Sequence, residues 1–138
     1  MKYIDHIGIA IKNIENSVPM FEKLLNTICY KKEFVAGENV TTAFFKKGET
    51  KIELLQDEKD DGIINRFIEK KGEGIHHIAF EVENIQNEIA RLKQEGYIFI
   101  SEIPKKGADN KMICFLHPKS TNGILIELCE QIKPAYKL

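Results

Sequence analysis

The 138-residue sequence has no tryptophan, three cysteines and four prolines, and its acidic and basic side chains almost cancel. Twenty lysines and arginines against 21 aspartates and glutamates leave a net charge of -1, so the positive field that nucleic acid or an anionic membrane surface requires is missing. No apolar run approaches the roughly 20 residues of a membrane-crossing helix, and no membrane span is expected. Cys29, Cys114 and Cys129 are odd in number, lack paired metal spacing and sit beside apolar residues such as Ile28, Phe115 and Leu128. They read as reduced core thiols. Met1-Lys2-Tyr3-Ile4-Asp5 enters a strand-like pattern at once, without the apolar core or small-residue cleavage site of a signal peptide, so a cytoplasmic location is expected.

What the chain does contain is itself, twice. Asp5-His6-Ile7-Gly8-Ile9-Ala10 aligns with His76-His77-Ile78-Ala79-Phe80-Glu81, and Asn13-Ile14 with Asn84-Ile85, at a constant offset of 71. The same shift carries Asn39 onto Asn110 and Phe44 onto Phe115. A slightly longer turn in the second half then brings Glu53 onto Glu127 at an offset of 74. Each copy has one pattern of elements. Ile4 to Ile11 alternates as a strand, and Val18, Phe21, Leu24, Leu25 and Ile28 mark a helix over Ile14 to Ile28 capped by Asn13. Pro19, near the start of that helix, forfeits little. Strands follow at Tyr30 to Val35, Val40 to Lys46 and Lys51 to Gln56, a βαβββ module. The second copy predicts a strand over Ile75 to Val82, a helix striped by Ile89 and Leu92 and closed by Gly96, and strands at Tyr97 to Ser101, Lys111 to Leu116 and Gly123 to Glu130. The expected architecture is one α+β domain of two tandem βαβββ modules, residues 1–56 and 75–133, joined by a connector over 57–74 with a short helix at Ile63, Ile64, Phe67 and Ile68.

Strand parity assigns faces. Ile7, Ile9 and Ile11 share one side of the first strand and leave His6, Gly8 and Ala10 on the other; His77, Ala79 and Glu81 are their counterparts. Histidines beside such small residues suggest a cavity lining, with the bulky face packed on helices. By the same parity His76 belongs with the packing face, in a structural or supporting role. Glu53 and Glu127 interrupt runs that are apolar on both faces, where an unpartnered carboxylate costs several kcal/mol and must be protonated, ion-paired or bound to a cation. Each of these residues has an ordinary explanation when taken singly, a salt bridge to lysine for the glutamates included. Pairing of the modules about a pseudo-twofold would bring His6, Glu53, His77 and Glu127 to one point. Two imidazoles and two carboxylates make a mixed nitrogen and oxygen site for Co(II), Ni(II), Zn(II), Mn(II) or Fe(II), with positions left for a chelating substrate.

The segments Asp5-His6-Ile7-Gly8-Ile9-Ala10, Gly72 to Val82 and Phe115-Leu116-His117-Pro118-Lys119-Ser120 through Gly123 to Leu128 resemble methylmalonyl-CoA epimerases of the vicinal-oxygen-chelate, glyoxalase-like superfamily. The resemblance spans nearly the whole chain. It implies an eight-stranded U-shaped sheet around a divalent metal, Co(II) foremost, held by His6, Glu53, His77 and Glu127. It also implies an acyl-CoA substrate, a homodimer, and Glu127 as an acid/base group, with Glu53 or a bound water as the second one. Lys119 and Ser120 are the candidate substrate contacts; the turn that carries them could equally just join two strands. Val40-Thr41-Thr42-Ala43 departs from the pattern, since some epimerases carry a glutamate where Thr42 stands. Glyoxalase I, a lactoylglutathione lyase with the same four ligand positions, remains an alternative, as does a non-catalytic small-molecule binder. Extradiol dioxygenases, with two histidines and one glutamate, are disfavoured by Glu53.

Overall fold

The computed structural model describes residues 1–134. In the first module β1 (Tyr3–Ala10) is followed by α1 (Ile14–Leu25), β2 (Lys31–Val35), β3 (Val40–Lys47) and β4 (Thr50–Asp57). The connector holds α2 (Ile63–Lys71). The second module consists of β5 (Gly74–Glu81), α3 (Ile85–Gln94), β6 (Lys105–Lys106), β7 (Lys111–Leu116) and β8 (Ile126–Gln131), with a 3-10 turn at Pro118–Ser120 ahead of β8.

The repeat is visible atom by atom. The Asn13 side chain accepts from Asn16 N at 3.1 Å and caps α1, and Asn84 accepts from Asn87 N at 3.0 Å and caps α3. Asn39 and Asn110, each turning the chain ahead of a long strand, both have φ of 56°, a left-handed conformation that asparagine tolerates better than most residues. All strands join one eight-stranded sheet in the order β2-β3-β4-β1-β5-β8-β7-β6. β4 lies parallel to β1 and β8 parallel to β5, while β1 and β5 meet antiparallel at the seam between modules. The sheet curls into a half-barrel, and its two ends come close enough for Lys105 Nζ of β6 to lie 3.1 Å from Glu38 Oε1 in the β2–β3 turn.

The bulky faces pack as their alternation predicts. On the convex side Ile11, Ile14, Val18, Phe45 and Leu54 form one core under α1, and Val82, Ile85, Ile89, Leu92, Leu116 and Leu128 form its counterpart under α3. The connector helix behaves differently and enters the concave side. Its Ile64 and Ile68 pack on Ala10, Val40 and Leu55. Among the described residues no helix is long and apolar enough to cross a membrane. All three cysteines are free thiols, Cys114 and Cys129 buried and Cys29 half-buried.

Three expected elements end or lie elsewhere. The first helix stops at Leu25, because Asn26 turns left-handed at φ 50° and Thr27 N–H bonds Glu22 O at 3.1 Å. Ile28, which shares the helical spacing, falls beyond the helix and is 76% exposed, and Leu24 in its last turn is 70% exposed. Tyr97 to Ser101 is not a strand: only Phe99 bridges Leu116, after which the chain bends irregularly up to Pro104, which has no amide to donate. The sheet edge is taken instead by Lys105 and Lys106. The last strand begins at Ile126 rather than Gly123, because Gly123 N–H bonds Pro118 O at 2.8 Å and prolongs the turn.

These packing differences predict unequal stability losses. Leu54→Ala, at a fully buried position, should lower the unfolding free energy by about 2–5 kcal/mol. Leu24→Ala, despite its place in the same apolar periodicity, should stay within about 0.5 kcal/mol in a denaturant titration.

Candidate metal centre

His6 lies on β1, Glu53 on β4, His77 on β5 and Glu127 on β8, the four central strands of the sheet. Each is 4–6% exposed. Their placement obeys the internal twofold: across the seam His6 faces Ala79 and Gly8 faces His77. Within the modules, Gly8 pairs with Glu53 as Ala79 pairs with Glu127, and Phe44 pairs with Glu53 as Phe115 pairs with Glu127. The small residues do not leave empty space, as parity suggested. A β-carbon on Gly8 would sit 2.2 to 2.7 Å from the His77 imidazole, so the glycine is where that ring lies. Ala10 is likewise covered by α2.

The seam also carries two irregularities that alternation could not predict. Pairing of β1 with β5 skips Asp5 between Ile4 and His6, and skips His76 between His77 and Ile75. These are β-bulges at equivalent places in the two copies, and a bulge re-aims a side chain. His76 consequently leaves the packing face assigned by parity and joins the lining of the concave cavity. Its Nδ1 lies 3.0 Å from His77 Nδ1, and its ring stands edge-on to Phe67 of α2 at 5.0 Å. In the first copy Asp5 takes the matching position, with Oδ2 2.8 Å from His6 Nδ1. Both histidines thus have Nδ1 engaged and Nε2 turned inward.

The inward atoms converge. His6 Nε2 is 2.9 Å from Glu53 Oε2, 3.1 Å from His77 Nε2 and 3.4 Å from Glu127 Oε2, and His77 Nε2 is 3.5 Å from Glu127 Oε1. Ligand bonds of about 2.1 Å to a shared centre would separate neighbouring donor atoms by roughly 3.0 Å in an octahedron and 3.4 Å in a tetrahedron. On that measure His6, Glu53 and His77 fit a divalent cation, with one ligand atom each within 4.8 Å of the others; Glu127 borders the same point, meeting His6 through Oε2 and His77 through Oε1, and the set of four fits by chemistry. The Nδ1 atoms of His76 and His77 share one proton; when His77 carries it, its Nε2 is an acceptor, and that nitrogen and two carboxylates then converge on His6 Nε2. Lysine does not resolve this, because among the described residues the salt-bridge partners of Glu53 and Glu127 are histidines.

The electrostatics carry the same message. Burial pushes the Glu127 carboxyl up to about 8, with His6 opposing and Glu53 adding to the rise. Burial disfavours charge on His6, yet Glu53, Glu127 and the bond to Asp5 hold its pKa well above the ordinary histidine value. His77 is driven the other way, by burial first and then by the charges of His6 and His76. Burial also takes His76 down to about 4. Two buried carboxylates side by side demand positive charge, and protons supply it where no cation does.

The four residues open on a cavity of about 330 Å³ whose other walls include Val40, Leu55, Ile64, Ile113 and Phe115. Thr42 lines it as well, its hydroxyl donating to Glu33 O at 3.2 Å. Lys119 and Ser120 do not line this cavity. Lys119 is exposed in the 3-10 turn, and the Ser120 hydroxyl is held to the backbone of Ile98 and His117. Sequence reasoning passed over a buried charge cluster behind His6, comprising Asp5, Lys51, Glu81 and Lys111. Glu81 was within reach, since it shares the His77 face; Lys111 arrives from the far end of the chain.

A family model described as the glyoxalase/bleomycin resistance protein/dioxygenase superfamily matches residues 5–115. The chain belongs to this superfamily. Among its relatives, the uncharacterized protein YqjC of Bacillus subtilis is 38% identical over 94% of this chain and 93% of its own. An ethylmalonyl-CoA/methylmalonyl-CoA epimerase of Cereibacter sphaeroides is 37% identical over 94% and 97%. The structure of a Streptomyces coelicolor methylmalonyl-CoA epimerase in complex with 2-nitronate-propionyl-CoA superposes with a TM-score of 0.91 at 27% identity, covering 99% of each chain. The paired modules and half-barrel of this superfamily member are therefore shared with epimerases along the whole domain.

The two neighbouring histidines should separate by metal titration. His77→Ala is expected to abolish stoichiometric Co(II) uptake, whereas His76→Ala, which removes only the partner of His77 Nδ1, should weaken it by about 10–100-fold. Complete loss in both variants would mean that His76 itself is a ligand.

Proposed function

We propose that the chain is a divalent-metal-dependent epimerase of methylmalonyl-CoA or a closely similar acyl-CoA thioester. The observation that carries this reading is the meeting of His6, Glu53, His77 and Glu127 in the lining of one largely apolar cavity, in a chain that is similar over its length to epimerases. A cation held by these four residues would supply the positive charge against which an enolate oxygen of the substrate develops. Co(II) is the first choice among the cations suited to such a donor set, with Ni(II), Zn(II), Mn(II) and Fe(II) behind it.

Epimerisation needs a proton taken from one face of C2 and another delivered to the opposite face. Glu53 and Glu127 stand at equivalent positions of two modules related by a pseudo-twofold, so they approach the cavity from opposite sides. Glu127 takes the C2 proton of one epimer, Glu53 acts on the other face, and the roles exchange for the reverse substrate. Val40, Leu55, Ile113 and Phe115 keep water from the short acyl group, while the nucleotide portion of CoA extends beyond a cavity of about 330 Å³.

A second reading follows from Thr42. It is 1% exposed and places a hydroxyl, not a carboxylate, on the middle strand of the first module. Isomerisation of a hemithioacetal by glyoxalase I chemistry uses the same four ligand positions, and the carboxylate that some epimerases carry here is replaced by Thr42.

Deuterium exchange distinguishes the two. In deuterated water the Co(II)-loaded protein should replace the C2 proton of methylmalonyl-CoA, and Glu127→Gln should slow exchange by at least about 100-fold. Thr42→Ala should change it little. Absence of C2 deuteration alongside conversion of the methylglyoxal–glutathione hemithioacetal would replace the epimerase reading with the lyase one.

A further inference from the structure

Asp5 is 3% exposed and divides its two oxygens between different tasks. Oδ2 accepts from His6 Nδ1 at 2.8 Å, while Oδ1 receives Lys51 Nζ and Lys111 Nζ, each at 3.3 Å. The lysines reach it from different modules, Lys51 from β4 and Lys111 from β7. Each also keeps a carboxylate of its own: Lys111 is 2.6 Å from Glu81, and Lys51 is 2.8 Å from Asp109. The bulge that skips Asp5 in the β1–β5 pairing lets this side chain share a side with its neighbour His6.

We propose that Asp5, clamped by Lys51 and Lys111, is a positioning residue that holds His6 as the Nδ1–H tautomer and keeps Nε2 aimed at the point shared with Glu53, His77 and Glu127. A neutral imidazole carries one N–H, and a fixed carboxylate on Nδ1 decides which nitrogen bears it. The same bond stops ring rotation and raises the donor strength of the other nitrogen. Two ammonium groups on the far oxygen keep the carboxylate from turning away. The second copy of the repeat has no such charge, since His76 occupies the equivalent place behind His77. A site that is twofold in its four inner residues is therefore one-sided behind them, and His6 is the stronger anchor.

The inference rests on the divalent-cation reading, and Co(II) titration of the native chain and Asp5→Asn, followed by absorbance, tests the two separately. Because Lys51 and Lys111 retain Asp109 and Glu81, metal-free Asp5→Asn should melt within about 5 °C of the metal-free native protein. Its Co(II) affinity should nevertheless fall about 10–100-fold, with a displaced d–d band. A variant that melts well below the native protein yet binds Co(II) as tightly would overturn the proposal and make Asp5 a purely structural charge. Failure of the native chain to bind Co(II) would overturn the cation reading and this inference with it. Should Asp5→Asn not fold, Lys51→Gln, at a partly exposed residue that leaves Asp5 in place, decides: about tenfold weaker Co(II) binding is expected, and unchanged affinity overturns the clamp.

Discussion

Two carboxylates, Glu53 and Glu127, are buried within reach of the same histidine at the seam between two halves of a repeated chain, and the surroundings of the site are arranged around that repulsion. Burying negative charge there requires positive charge alongside. His6 and His77 face them through Nε2, and Gly8 gives up its side chain so that the His77 ring can lie across the seam. The paired bulges at Asp5 and His76 bring a polar partner behind each ring. In the proposed reading, a cation at the meeting point would offset the cost of that burial and would couple binding to folding.

The convex and concave sides divide the labour. Ridges of Ile, Leu and Val under α1 and α3 hold the two modules rigid, and side chains on packed strands hold their geometry better than side chains on loops. The concave side carries the chemistry, narrowed at one end by α2 through Ile64 and Ile68. Where the half-barrel would gape, its ends are tied by charge: Lys105 to Glu38, and Asp109 to Lys31 and Lys51. The second of these ties runs on through Asp5 to His6.

Much of this was legible in the chain itself, because its signals are periodic or repeated. The offset between His6 and His77 marked the repeat, and the two glutamates stood out as charges within apolar strands. Elements that failed did so for local reasons. Ile28 kept the helical rhythm past the point where Asn26 ended the helix, Leu24 kept it on an exposed side of the last turn, and Tyr97 to Ser101 had the composition of a strand but only a single bridge to pair with. The bulges were invisible because strict alternation assumes one residue opposite one, so His76 was assigned to the wrong face. Asp5, Lys51 and Lys111 escaped notice for another reason: a buried charge is recognised by its partner, and these partners are brought together only by the fold.

The central claim is that a divalent cation satisfies the buried pair of glutamates, and thermal unfolding of the metal-stripped protein with and without Co(II) tests it most directly. At Co(II) about 100-fold above its dissociation constant the native state should gain roughly 2.7 kcal/mol, seen as a rise in Tm on the order of 10 °C. Glu53→Gln, which removes one of the paired charges, should shrink that rise. A Tm that does not move under saturating Co(II) would contradict the account, since the carboxylates would then be satisfied by protons and imidazoles alone.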